Sequence, residues 1–213
     1  MRLVVVDVDD TLYLERDYVA SGFRAVGKAI GSPPFGDACQ ALFEEGVRGD
    51  TFSQAARRVG IGATPELVAR CVALYRAHAP TITLLADAAA FLDRWQGAAY
   101  LGVVTDGPAA SQRAKVHALG LDRRIDRIVV TDELGPGRSK PHSEAFELLQ
   151  AAAGAASTDC AYVADNPAKD FIAPAALGWR TVRVRRPGGL HAAVASGPDV
   201  AVEVDTLDGL ALA

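Results

Sequence analysis

"VVVDVDDTLY", residues 4–13, runs from an apolar stretch straight into Asp7, Asp9 and Asp10. Continuous β-branched residues without alternation mark a strand covered on both faces, as in a parallel sheet. The run proper, Leu3–Val6, has counterparts at Tyr100–Val104, Ile128–Val130, Ala161–Ala164 and Thr181–Val184. Helical patterns at about 108–119, 142–153 and 168–177 lie between the later runs. That βαβ rhythm predicts an α/β fold built on a parallel sheet with right-handed crossovers.

The rhythm breaks after the first strand. From Leu14 to about Pro80 there is no strand pattern; helices are predicted, interrupted by "GSPPFGD" (31–37), "GD" (49–50) and "GIGA" (60–63). Thr64 is a good N-cap with Pro65 at the first helical position. Leu67, Val68, Cys71, Val72 and Tyr75 then share one helical face. Residues 14–80 are therefore expected to form a helical cap, and 1–13 with 81–213 the α/β core. The tail "DVAVEVDTLDGLALA" predicts an edge strand and a last helical turn.

With 213 residues, half of them apolar, the chain can bury a core of one domain plus a modest insertion. A net charge of −4 favours neither nucleic acid nor an anionic membrane. Arg183, Arg185 and Arg186 lack interleaved aromatics and read as a solvated sheet edge. Cys39, Cys71 and Cys160 form no CxxC pair, so no zinc site or disulfide framework is expected, and the setting reads as reducing and cytoplasmic. The N-terminus has no signal-peptide pattern, and no window approaches about 18 apolar residues. Oligomeric state leaves no mark on the sequence.

In open parallel sheets, ligands bind outside the carboxyl ends of the strands, and Asp7 lies at such an end. Asp7 and Asp9, two apart, would point the same way in extended chain. Like charges that close need a proton or a cation, most simply Mg2+, which prefers oxygen ligands. Alone, the stretch also reads as an acidic turn in which Asp9 or Asp10 caps a helix. The other strand ends weigh against that reading. "VVTDGP" brings Thr105 and Asp106 to the same rim, and "YVADNPAKD" brings Asp165 with Asp170 a turn later. Lys140, in "GRSKPHSEAF", precedes the helix between them. These are the groups needed to hold Mg2+ and a phosphoryl group together.

DxDxT at Asp7–Thr11, a strand-end Thr, a Lys before a helix and an acidic DxxxxD occur in that order. Over essentially the whole chain this resembles the haloacid dehalogenase-like hydrolase superfamily, in its phosphatase branch. The resemblance implies a Rossmann-like core with an inserted helical cap, and a phosphatase working through an aspartyl-phosphate. It implies Asp7 as nucleophile and Asp9 as general acid and base. Mg2+ would be held by Asp7, the backbone carbonyl of Asp9, and Asp165. Thr105, with amides near Val8, Asp9 and Asp106, would hold the phosphate, and Lys140 would neutralise charge. Asp170 would orient Lys140 or metal-bound water, and Thr11 would brace the loop through its hydroxyl. The implied substrate is a small phosphate ester, a sugar phosphate or nucleoside monophosphate. Tyr18 and Arg24 are candidate recognition side chains; the competing reading makes Tyr18 cap core and Arg24 a solvated charge. Two positions depart from the family pattern: Ala164 stands where Gly is usual, and Asp106 where many relatives have Asn. The rival readings are a sugar phosphomutase, a dehalogenase and a non-catalytic phospho-ligand sensor.

Overall fold

The computed structural model describes residues 1–212. In chain order the elements are β1 (Leu3–Val6), α1 (Glu15–Ala29), α2 (Pro33–Glu44), α3 (Thr51–Arg58), α4 (Pro65–Ala77), α5 (Ala86–Trp95), β2 (Tyr100–Thr105), α6 (Ala109–Ala118), β3 (Arg127–Val130), α7 (Glu144–Ala153), β4 (Cys160–Ala164), α8 (Ile172–Ala176), β5 (Arg180–Val184) and β6 (Val202–Val204). The strands form one parallel sheet in the order β3-β2-β1-β4-β5-β6, the expected Rossmann-like arrangement. Val6 pairs with Val103 of β2 on one side and Val163 of β4 on the other. The chain therefore reverses its direction of travel across the sheet at β1/β4, and the crevice at such a switch point is where these sheets bind ligands.

The apolar runs become strands because both of their faces are covered. On one face Leu3, Val5, Val104 and Tyr162 pack with Phe146 and Leu149 of α7, Phe171, and Ala173 of α8. Val4, Val6, Leu101, Val103, Ala161 and Val163, pointing the other way, are buried as well. Helix α7 lies close to the sheet at Gly102, where a Cβ would come within 2.9 Å of Leu149. Helix α5 is not among the predicted helices; its alanines thin the apolar stripe to Ala88, Phe91 and Leu92.

The chain divides into two compact units, Arg16–Ile82 and the remainder, Met1–Glu15 with the chain from Thr83 onward. The first is helical, and Val19, Phe23, Val26, Phe35, Cys39 and Leu42 lie in its core. Thr64 caps α4, its hydroxyl accepting from the Leu67 amide at 3.2 Å. Among the described residues no helix is long and apolar enough to cross a membrane.

Two expectations are corrected. The tail gives the edge strand β6 but no final helical turn among the described residues. Asp208 and Gly209 make a simple turn there, and Leu207, Leu210 and Leu212 are buried. Nor are Arg183 and Arg186 a solvated edge, since both are buried. Arg183 donates to the carbonyls of Asp165, Val194 and His191, each at 2.9 Å, and so ties the 185–196 loop to the sheet. Arg186 donates to the Thr11 carbonyl and to Asp87, both at 2.7 Å.

Candidate active site

Asp7 and Asp165 directly follow β1 and β4, and Thr105 ends β2, so sheet register alone gathers them at one rim. The loop after β4 folds back as the Asn166 amide donates to Asp170 Oδ2 at 2.9 Å. Asp7, Asp165 and Asp170 then bring carboxylate oxygens within 4.8 Å of one another, all buried. Lys140 reaches into this group. Its Nζ lies 2.9 Å from Asp7 Oδ1 and 2.8 Å from Asp170 Oδ1, and it donates to the Tyr162 hydroxyl at 3.1 Å. Burial alone would push the Lys140 ammonium down; Asp170 and Asp7 hold it well above its ordinary value.

One cation does not neutralise three acids. Burial, with Asp7 and Asp170 alongside, raises the Asp165 carboxyl to about 9. Burial also raises Asp7 to about 7, with Lys140 opposing and Asp170 and Asp9 adding. A buried all-oxygen donor set short of positive charge fits a hard divalent cation such as Mg2+.

Asp106 joins three segments. Its Oδ1 accepts from the Thr131 hydroxyl at 2.8 Å and the Lys140 amide at 3.1 Å; its Oδ2 accepts from Lys169 Nζ at 2.6 Å. Burial works against its charge, but Lys140 and Lys169 hold the carboxyl below the usual range. The negative charge that departs from the family pattern is thus matched by Lys169.

The Asp9 side chain has partners of its own. Asp9 is near enough to add to the rise of the Asp7 carboxyl, and the chain turns just after it, with φ 50° at Asp10. Asp10 ties down this turn by accepting from the amides of Glu15 at 2.8 Å and Leu190 at 2.7 Å. The Asp9 carboxyl accepts from Lys115 Nζ at 2.7 Å, Gln112 Nε2 at 3.2 Å and the Tyr13 hydroxyl. Thr105 is fully buried, and its hydroxyl donates to Gln112 Oε1 at 3.0 Å. Burial, with Asp9 next in effect, raises the nearby Glu15 to about 7.

Thr11 does not brace the loop through its hydroxyl, which is buried without a hydrogen-bond partner among the described residues. The brace is its carbonyl, held by Arg186. Tyr18 is buried in the helical unit, edge-on to Tyr75 and tilted against His78, so its ring is engaged in packing. Arg24, on the same helix, is exposed.

A model of the haloacid dehalogenase-like hydrolase family matches residues 1–178. The chain belongs to that family. It is 27% identical over 202 residues to the glyceraldehyde 3-phosphate phosphatase of Methanocaldococcus jannaschii, covering 85% of this chain and 83% of that protein. It is 32% identical over 127 residues to the phosphoserine phosphatase of Thermus thermophilus, covering 59% of this chain and 50% of that one. In fold it is similar to the Bacillus subtilis HAD-hydrolase YfnB bound to magnesium, with TM-score 0.69 and 19% identity over 97% of this chain and 95% of that one. A comparable likeness links it to CbbY of Rhodobacter sphaeroides in complex with phosphate, with TM-score 0.64 and 16% identity over 97% and 95%.

In this haloacid dehalogenase-like hydrolase, sequence reasoning missed Gln112, Lys115, Tyr13, Tyr162 and Lys169. One signal was available for the first two. Gln112 and Lys115 are three apart, one helical turn, just beyond the strand end carrying Thr105. Helix α6 buries Ser111, Gln112 and Lys115, so it turns a polar stripe inward.

Proposed function

We propose that this hydrolase is a Mg2+-dependent phosphatase of small phosphate monoesters, working through a phosphoaspartate on Asp7. The observation that carries this reading is the buried contact of Asp7 with Lys140, beside Asp165 and Asp170 at the switch point of the sheet. A carboxylate held there by a fixed cation is oriented to attack phosphorus. Asp7, the carbonyl of Asp9 and Asp165 would hold Mg2+, which when bound supplies the positive charge that lets two anions approach.

Asp7 attacks phosphorus, and the bond to the ester oxygen breaks as Asp9 gives that oxygen its proton. Asp9 then takes a proton from a water that attacks the phosphoaspartate, releasing inorganic phosphate and restoring Asp7. Lys140 offsets charge on Asp7 and on the phosphoryl group, and Thr105 offers its hydroxyl to a phosphate oxygen. Asp170 and Tyr162 keep the lysine in place. Relatives named for glyceraldehyde 3-phosphate and phosphoserine support a small phosphate ester as substrate.

Phosphate release is measured from a panel of sugar phosphates, nucleoside monophosphates, glyceraldehyde 3-phosphate and phosphoserine, with Mg2+ and with chelator. Turnover that needs Mg2+ and disappears in Asp7→Asn supports the reading. Turnover surviving in Asp7→Asn, or no release from any compound by folded protein, overturns it. Conversion that depends on an added bisphosphate would mark a phosphomutase instead.

A further inference from the structure

We infer that Lys115 and Gln112 of α6, with Tyr13, form a clamp that positions the Asp9 carboxyl for proton transfer to the leaving oxygen. This inference rests on the phosphatase reading above and assigns work to residues which that reading leaves unused. Both Asp9 oxygens are held: Oδ1 by Lys115 at 2.7 Å and by the Tyr13 hydroxyl, Oδ2 by Gln112 at 3.2 Å. A carboxyl gripped at both oxygens cannot rotate freely, so its direction is set before substrate arrives.

The donors are not ordinary surface residues. Lys115 is 4% exposed, Gln112 3% and Tyr13 0%. Burying an ammonium and an amide is costly, and apolar side chains at the same inward positions would pack at less cost. Their presence is explained by what they face. Gln112 also reaches the other half of the site, its Oε1 accepting from the Thr105 hydroxyl at 3.0 Å and its Nε2 donating to the Asp106 carbonyl at 2.8 Å. One amide therefore ties the proton-transfer group to the hydroxyl that would meet the phosphate. The backbone makes room for it. Gly107 has φ 128°, and a Cβ there would stand 2.8 Å from Gln112 Nε2. Lys115 and Gln112 are positioning residues, and they act through Asp9.

A clamp on the acid matters most where the leaving oxygen needs a proton. An alkyl phosphate needs one, whereas p-nitrophenyl phosphate releases a stable phenolate without it. The experiment compares kcat and KM on both esters, with Mg2+, for wild type, Asp9→Asn, Lys115→Met, Lys115→Arg and Gln112→Leu, each checked for folding by circular dichroism. General acid–base groups contribute about 10²–10⁴-fold, so Lys115→Met is expected to lower kcat on the alkyl ester by about 10–100-fold. The loss on the nitrophenyl ester should stay within a few fold, KM should change little, and Lys115→Arg should recover part of the rate. Gln112→Leu should show the same split if Lys115→Met does not fold. Equal losses on both esters, or no loss on the alkyl ester, overturn the clamp if Asp9→Asn shows the split. If Asp9→Asn shows no split, the role given to Asp9 fails, and the clamp fails with it.

Discussion

Replacing Lys140 by methionine removes the cation that, among the described residues, contacts both Asp7 and Asp170, and the outcome can be worked from the geometry. The lysine side chain is 1% exposed, with ion pairs at 2.9 Å and 2.8 Å. Methionine fills most of the same volume, so a cavity contributes little. Breaking a buried ion pair from one side costs about 3–5 kcal/mol, because the remaining charge is left uncompensated. The carboxyls can escape part of that cost by taking up protons, which makes the loss depend on pH. Burial and neighbouring acids already raise Asp7 to about 7 and Asp165 to about 9, from an ordinary 3.8. Without the lysine both rise further. An acid whose folded value is raised binds protons more tightly folded than unfolded. Its stability is full below the unfolded value and is lost as pH climbs through the folded one, by at most about 1.4 kcal/mol per unit for each group. Lys140→Met should therefore lose about 4 kcal/mol near pH 8 and about half of that near pH 5. Urea unfolding followed by circular dichroism in chelator, at both pH values, measures this. A loss under about 1 kcal/mol, or one that does not change with pH, would refute the assignment of Lys140 as the neutralising cation.

Two further substitutions test other parts of the structure. Arg183→Met strips the Asp165 carbonyl and the 185–196 loop of a buried donor, since Arg183 Nε meets that carbonyl at 2.9 Å. It should cost about 3 kcal/mol in urea unfolding and weaken the proposed Mg2+ binding, followed by calorimetry, about 10–100-fold. In the helical unit, a Cβ at Gly36 would lie 2.7 Å from the Phe23 carbonyl, where α1 and α2 touch backbone to backbone. Gly36→Ala should therefore destabilise that unit by about 1–3 kcal/mol, read as faster limited proteolysis within residues 16–82.

The sheet and half of the site were legible because they follow from local pattern. Short uninterrupted β-branched runs such as Leu3–Val6, closed by a polar residue, fit strands with both faces covered, and that is what they form. Once they are strands, the residues after β1 and β4 and at the end of β2 must share a rim, which places Asp7, Asp165 and Thr105. Lys140 was legible only through its place in an ordered motif; its partner Asp7 lies 133 residues away.

What tertiary structure decided is where long polar side chains turn. The rotation of α6 sinks Gln112 and Lys115 beside the Asp9 carboxyl, which they hold from more than 100 residues away in the chain. Arg183 and Arg186 look like a solvated edge in sequence, yet they are buried, because carbonyls from distant loops converge on them. A strand's fate is written in its own residues, since burial of both faces follows from composition. The fate of a lysine or arginine depends on whether acceptors 106 residues away, as between Lys115 and Asp9, arrive to satisfy it.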